Sequence, residues 1–232
     1  PDLLTFRALR LMQRADVVLY DRLLGDGILD RVRRDAERIH VGKRASDHTM
    51  PQEEITALMI RLARAGKRVL RLKGGDPFMF GRGGEEIEGL AAEGIPFQVV
   101  PGVTSASGAA TYAGIPLTHR DHAQACVFIT GHGRDGDVDV DWKLLLQPHQ
   151  TVAIYMGLTR LAELSAQFVA RGADPMMPVA VIENGTRPDQ RVLTGTLATI
   201  AQDAAAMNIK GPAMIVIGTV VTMRAKLSAS VS

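Results

Sequence analysis

A turn with an unusual set of residues directly follows an apolar run. The run at 69–72 predicts a buried strand, and Gly74, Gly75, Asp76 and Pro77 predict the turn at its carboxyl end. Glycines let a ligand lie directly on the peptide groups, and ligands of open α/β sheets bind outside the carboxyl ends of the strands. The segment therefore predicts a small-molecule site, and an ordinary turn is the alternative.

Neither of the common nucleotide-binding glycine patterns fits this segment. The third glycine of a dinucleotide fingerprint starting at Gly81 would fall on Glu86, and the chain contains no G-x-x-x-x-G-K-[ST] run. A ligand held here is therefore not expected to sit in a phosphate cradle.

Charged residues follow the first two predicted strands. Asp21 comes directly after the strand at 17–20, where it could act as a general base or hold a substrate nitrogen. A helix cap or an ion pair with Arg22 explains it equally well. Lys43 and Arg44 follow the second strand, and a solvated turn is the alternative there.

Two further arginines lie at positions where they could face a ligand. Arg82 and Glu85 lie three residues apart at the start of a predicted helix and can face the same way, although a simple intrahelical pair would look identical. Arg120 lies near the predicted hinge between domains, where a substrate clamp and a domain-linking ion pair are both possible.

Other strand ends add small or polar residues. Thr104 and Ser105 can cap a helix and offer hydroxyl groups, while Met156 and Gly185 follow two later strands. His119 and His122 lack an evident third ligand, so no metal site is predicted. No motif of a hydrolase occurs.

Strands alternate with amphipathic helices, which indicates a mainly parallel α/β architecture. One helix begins near Pro51 with a capping box of Thr49 and Gln52 and ends at Gly66. Other helices are predicted at about 158–171 and 196–207. The predicted strands lie at 17–20, 38–41, 69–72, 97–100, 125–130, 152–155, 179–182, 191–193 and 214–217.

Gly114, Ile115 and Pro116 interrupt this pattern, which places the domain boundary near residues 117–121. We therefore predict two α/β domains, residues 1–118 and 119–232, with an interdomain cleft as the ligand site.

Composition narrows the class of protein. The 232 residues carry a formal charge of +2, with basic and acidic residues interspersed, so a nucleic-acid binder is not expected. Cys126, the single cysteine, excludes an internal disulfide, and no apolar stretch is long enough to cross a membrane. No leader opens the chain, so we expect a cytoplasmic protein. Pro1 suggests that the sequence begins inside a longer natural chain.

Eight motifs, taken in order, resemble those of one enzyme family. They lie at residues 20–23, 41–44, 71–78, 80–86, 100–106, 113–120, 155–157 and 183–186. The chain resembles the uroporphyrinogen-III C-methyltransferases, which have the tetrapyrrole (class III) methylase fold, over practically its whole length. The family begins with a strand and a Gly-x-Gly-Pro-Gly-Asp-Pro loop, and Pro1 resembles the end of that loop. Its start is therefore expected to be missing here.

The resemblance implies a homodimer that uses S-adenosyl-L-methionine (SAM) and releases S-adenosyl-L-homocysteine. It implies methylation of uroporphyrinogen III at C2 and C7, which gives precorrin-2 for sirohaem, cobalamin or haem d synthesis. A methylase of the same fold that acts on a later precorrin or another acceptor is the main alternative, and a non-catalytic binding module is another. The implied cofactor-binding residues are Pro1, Gly74, Gly75, Asp76, Met79, Thr104, Ser105, Met156 and Gly185.

The substrate carries eight carboxylates, so arginine clamps are expected, with Arg82 and Arg120 leading and Lys43 and Arg44 behind them. The resemblance leaves the proton acceptor open. Asp21 with Lys43 as proton donor is one possibility, and Arg82 with Glu85 is the other.

Overall fold

The computed structural model describes residues 1–42, 50–133 and 140–227. Its internal contacts divide the chain into two compact units, Pro1–Thr104 and Ser105–Ser232. The predicted division at residue 118 falls later, because helix α4 (Ser105–Tyr112) packs against strands of the second unit. The boundary between independently folding domains, and the cleft, stay predictions.

The first unit contains a small, fully parallel sheet. Its strands are β1 (Val17–Tyr20), β2 (Glu37–His40) and β3 (Val69–Leu72), in the order β2-β1-β3. Tyr20 lies opposite both His40 and Leu72, so the three carboxyl ends are level with one another. The helices are α1 (Phe6–Met12), α2 (Gln52–Arg64) and α3 (Gly83–Ala92), with a 3-10 turn at Leu29–Arg31.

Both faces of this sheet are covered, as is usual for parallel strands. Val17 and Leu19 pack on one face, against the apolar stripe of α2 that includes Ile55 and Leu58. Val18 packs on the other face in a second cluster. The alternation along β1 therefore fixes which face each neighbouring element covers.

The strand predicted at 97–100 is wrong, because these residues form no regular structure and Phe97 is exposed. Pro96 lacks a backbone donor, and no strand among the described residues pairs with this segment. Helix α2 begins at Gln52, with Pro51 at its N-cap position. The predicted cap residue Thr49 lies outside the described residues.

The second unit contains a mixed five-stranded sheet in the order β4-β5-β8-β6-β7. Only β4 and β5 pair in parallel, and the other three pairings are antiparallel, so the prediction of a mainly parallel architecture is wrong for this sheet. The strands are β4 (Ala125–Thr130), β5 (Gln150–Tyr155), β6 (Pro178–Glu183), β7 (Arg191–Thr196) and β8 (Ala213–Ile217).

Strand β8 lies between β5 and β6 and runs antiparallel to both, so β5 and β6 point the same way. The carboxyl ends of β4, β5 and β6 therefore share one edge. The remaining helices of this unit, besides 3-10 turns at Leu158–Arg160 and Thr219–Thr222, are α5 (Trp142–Leu145), α6 (Leu161–Ala170), α7 (Ile200–Ala206) and α8 (Met223–Leu227).

The core of the second unit lies between its sheet and helices α6 and α7. Ile154 and Ile215 of the central strands pack in one cluster with Leu164, Phe168 and Ile200. In the described part of the chain, no helix is long and apolar enough to cross a membrane.

Candidate functional site

The strand exits of the first unit lie in close contact. A Cβ atom on Gly42, after β2, would lie 3.2 Å from Asp21 Cβ, after β1. A Cβ atom on Gly74, after β3, would lie 2.9 Å from the carbonyl oxygen of Leu23. Glycine at these positions therefore lets the three exits meet at one edge of the sheet.

The loop after β3 is held to a second loop. Gly75 has a φ of +74°, which favours glycine, and a Cβ atom on Gly102 would lie 2.2 Å from Gly75 O. The Asp76 carboxylate accepts hydrogen bonds from the amides of Phe78 at 2.9 Å and Gly102 at 3.0 Å. Both Asp76 oxygens are thus engaged within the protein, so its geometry is that of a loop staple.

Backbone groups of this loop are available to a ligand. Gly74 and Gly75 are exposed, and their amides donate no hydrogen bond to the described residues. Met79 and Thr104 are half-buried, while Pro1 is exposed and lies within van der Waals range of a Cβ atom on Gly27. Exposed amides suit the polar groups of a small ligand, and the absence of side chains on the two glycines leaves room for it.

Asp21 is held in place from two sides. One carboxylate oxygen accepts the amide of Leu23 at 3.1 Å, and the other lies 3.4 Å from Arg71 Nη2. The Asp21 side chain retains 22% of its exposure. It is therefore oriented by the protein and still reachable from the strand-exit edge.

A buried charge cluster, which the sequence analysis missed, lies beside Asp21. Oε1 of Glu86 accepts hydrogen bonds from Arg71 at 3.2 Å, Lys73 at 3.3 Å and Gln52 at 3.0 Å. Glu86 is 3% exposed, and burial together with the positive charge of Arg71 lowers the pKa of Lys73. The signal was two cations at alternate positions, Arg71 in β3 and Lys73 directly after it, which places both on one face, where buried cations require a partner.

Arg82 and Glu85 form the predicted pair at the start of α3. Arg82 Nη2 lies 2.6 Å from Glu85 Oε2, and both side chains are more than half exposed. The hydrogen bond with Glu85 raises the pKa of Arg82. Arg82 has a φ of +58°, an uncommon conformation for a residue with a side chain.

The strand exits of the second unit also meet at one edge. A Cβ atom on Gly131, after β4, would lie 2.5 Å from Gly157 Cα, in the turn after β5. Between β5 and Gly157, Met156 has a φ of +54° and is 53% exposed. The buried Tyr155 hydroxyl accepts the amide of Ala106, so helix α4 begins at the same edge.

Two more predicted residues lie in this part of the second unit. Ser105 is the first residue of α4 and is exposed. Gly185 follows β6, and a Cβ atom there would lie 2.5 Å from Ala109 Cβ of α4. The structure thus brings Ser105, Met156 and Gly185 to one edge of the sheet.

Arg120 lies elsewhere in this unit. It is exposed, in a turn closed by the pairing of His119 with Ala123, just before β4 begins. Gln124, at the end of that turn, donates its amide to His149, the residue before β5. Within the second unit, Arg120 therefore lies at the amino edge of the sheet, away from Met156. Lys43 and Arg44 lie outside the described residues.

The family model for Tetrapyrrole (Corrin/Porphyrin) Methylases matches residues 1–201. The chain belongs to this family. The predicted family, two-sheet α/β fold and methyltransferase class are thereby confirmed.

Several curated relatives are named siroheme synthase. The one from Gluconacetobacter diazotrophicus is 63% identical over 225 residues, or 97% of this chain and 48% of the relative. The chain thus spans about half the length of the curated relatives it matches.

Solved tetrapyrrole methylases share the fold. The uroporphyrin-III C-methyltransferase of Thermus thermophilus is 37% identical, with a TM-score of 0.81, and covers 96% of this chain and 94% of its own. Its crystal structure contains S-adenyl homocysteine, so the predicted methyl donor is confirmed at the level of the family. A cobalt precorrin-4 methyltransferase is 30% identical, with a TM-score of 0.83 and coverages of 95% and 91%.

Proposed function

We propose that the chain is a SAM-dependent C-methyltransferase that methylates uroporphyrinogen III at C2 and C7 to give precorrin-2. The observation that carries the choice of substrate is the 37% identity to the uroporphyrin-III enzyme, compared with 30% to the precorrin-4 enzyme. The TM-scores, 0.81 and 0.83, do not separate the two acceptors, so the fold alone supports only the class of reaction.

The residues present fit SAM. Exposed glycine amides, the hydroxyls of Thr104 and Ser105 and the exposed Met156 side chain offer polar and apolar contacts. We assign Gly74, Gly75, Met79, Thr104, Ser105, Met156 and Gly185 to cofactor binding, with Pro1 at the margin. Asp76 belongs to this set through the loop that it holds, because both of its oxygens are already engaged.

When bound, SAM would supply a sulfonium methyl group that an electron-rich ring carbon can attack, with S-adenosyl-L-homocysteine as the leaving group. Since the attack needs little acid–base help, alignment of the acceptor supplies most of the rate. The proton that leaves the methylated ring goes to a base. We assign this base to Asp21, whose carboxylate is fixed by Leu23 and Arg71 and remains accessible.

Arg82 fits the role of a carboxylate clamp better than that of a base. Its hydrogen bond with Glu85 raises the pKa of Arg82, so the guanidinium stays protonated and cannot accept a proton near neutral pH. Glu85 orients the fork of Arg82, and an incoming substrate carboxylate would compete for it. Arg120 is kept as a second clamp and Lys43 as a proton donor.

We further propose a cytoplasmic homodimer.

The test is methyl transfer from isotopically labelled SAM by the full-length natural protein. We expect label to appear in uroporphyrinogen III and not in later precorrins offered alone. Transfer only to another acceptor would support the alternative methylase instead. Binding of SAM and tetrapyrrole without transfer would show a non-catalytic module and contradict the proposal.

A further inference from the structure

The buried carboxylate of Glu86 links three elements beneath the first strand exit. Arg71 contacts it from β3, Lys73 from the exit of β3 and Gln52 from α2. Glu86 itself lies in the first turn of α3. Arg71 also reaches Asp21, at 3.4 Å, after β1. The contacts therefore form one continuous chain from Glu86 to the carboxylate of Asp21.

The chain of contacts is well shielded from solvent. The side chains of Arg71, Lys73 and Glu86 are 13%, 11% and 4% exposed. Two cations face two carboxylates, so the cluster is balanced only when all four groups are charged. Loss of any one charge would leave an uncompensated charge in a poorly hydrated place.

Stability of the fold does not explain why such a cluster is present. Buried ion pairs can commonly be replaced by apolar side chains of similar volume with no loss of stability, or with a gain. A position directly under the strand exit, with Asp21 at its end, points to a role in placing a reacting group.

We propose that Glu86 is a positioning residue for methyl transfer: through Arg71, its buried carboxylate fixes the carboxylate of Asp21 at the exit of β1. This inference rests on the proposed function, in which Asp21 accepts the proton. Arg71 donates its Nε to Glu86 and its Nη1 to the carbonyl oxygen of Leu72 at 3.0 Å. These two bonds orient the guanidinium so that its Nη2 donates to Asp21.

Glu86 also affects Lys73, and this gives a readout that needs no turnover. Burial and Arg71 lower the pKa of Lys73, whereas Glu86 and Asp21 raise it. Within the described residues, these are the charged groups that act on Lys73, and Gln52 adds an uncharged amide at the same oxygen. Removing the charge of Glu86 should therefore lower the pKa of Lys73 further.

The test uses Glu86→Gln in the full-length protein, with Glu88→Gln as the matched control. Glu88 lies on the same helix, and its side chain is exposed. We expect Glu86→Gln to lower kcat by roughly 10- to 100-fold, because small displacements of a reacting group are costly. The KM for SAM should stay within about twofold of wild type, because uniform binding is unaffected. Glu88→Gln should leave both unchanged.

The second readout is the titration of Lys73 by NMR on a protein labelled at lysine side chains. A lower pKa of Lys73 in Glu86→Gln, together with the loss of kcat, supports the proposal. An unchanged kcat in a folded Glu86→Gln protein overturns it. If the wild-type protein transfers no methyl group, the proposed function fails, while the Lys73 titration still shows whether Glu86 governs the cluster.

Arg71→Lys keeps the positive charge and removes the fork, so it tests the same link without a buried unpaired carboxylate. We expect a loss of kcat similar to that of Glu86→Gln. Should Glu86→Gln fail to fold, wild-type kcat in Arg71→Lys would still overturn the inference, and a loss of kcat at unchanged KM for SAM would support it.

Discussion

At the scale of single residues, the polar side chains of the site are hydrogen-bonded within the protein and differ in the exposure that they retain. Each carboxylate oxygen of Asp76 accepts a hydrogen bond from a backbone amide, and one oxygen of Glu86 accepts hydrogen bonds from three donors. Asp21 and Arg82 keep substantial exposure beside these fixed groups. Exposure, and not a lack of hydrogen-bonding partners, thus indicates which side chains a substrate can reach.

Replacing Arg82 should separate function from stability. Its pair with Glu85 is exposed, so we expect Arg82→Ala to change the free energy of unfolding by less than about 1 kcal/mol. A lost carboxylate clamp should lower kcat/KM for uroporphyrinogen III by roughly 30-fold or more. Steady-state kinetics and urea unfolding measure the two effects, with the exposed Arg61→Ala as control. Near-normal kcat/KM would show that Arg82 is only a surface residue.

Gly102 offers a steric test of the loop contact. A Cβ atom there would meet Gly75 O at 2.2 Å, so Gly102→Ala must push the two loops apart. We expect a loss of about 1–3 kcal/mol in unfolding free energy and weaker SAM binding by calorimetry. Gly84→Ala is the control, because nothing lies within 4 Å of its added Cβ and it sits in a helix. Equal SAM affinities in the two variants would argue against a cofactor role for this loop.

At the scale of elements, the sequence predicts more of the first sheet than of the second. The apolar runs at β1 and β3 are predicted from their periodicity, and the residues that follow them predict where these strands end. The direction of the strands in the second sheet cannot be predicted in this way, because the antiparallel β8 has the same buried apolar pattern as a parallel strand would have. At 97–100 the sequence predicts a strand that the structure does not contain, because β-favouring residues do not form a strand without a partner.

Part of the candidate site was also outside the reach of sequence patterns. Asp21, Gly74 and Gly75 could be predicted because strand exits of parallel sheets share an edge. The link between Arg71 and Glu86 joins residues that are 15 positions apart on a strand and a helix, and only the packing of α3 defines it. Arg120 lies at the amino edge of its own sheet, and its role as a clamp stays a prediction.

The end of β6 carries an acid-sensitive contact. Glu183 is buried, which alone would raise its pKa, but the amides of Lys210 and Gly211 and the guanidinium of Arg191 outweigh this and lower the pKa of Glu183. The resulting stability is therefore present above the ordinary pKa of a glutamate and is lost as the pH falls through the folded-state pKa.

Glu183→Gln should remove this contribution. We expect a loss of about 1–3 kcal/mol in unfolding free energy at pH 7, because amide and guanidinium donors lose a charged acceptor. The difference from wild type should shrink as the pH falls below 4. Urea unfolding at several pH values measures it, with the exposed Glu93→Gln as control. A difference that is independent of pH would contradict the assigned cause.

At the scale of the whole molecule, the two units hold different kinds of groups. The described residues of the first unit hold the candidate base, the Arg82 clamp and the buried charge cluster. Those of the second unit supply an exposed methionine and the start of α4 at a shared strand-exit edge. Family membership makes methyl transfer the reaction class, and the choice of acceptor is what the proposal adds.

The central claim is that two methyl groups are placed on uroporphyrinogen III. The most direct measurement incubates the full-length protein with 13C-methyl-labelled SAM and uroporphyrinogen III, oxidises the product and records its 13C NMR spectrum and mass. We predict a sirohydrochlorin that carries two labelled methyl groups, at C2 and C7. A product with label at any other ring position, or an acceptor that remains unlabelled while SAM binds, would contradict the account.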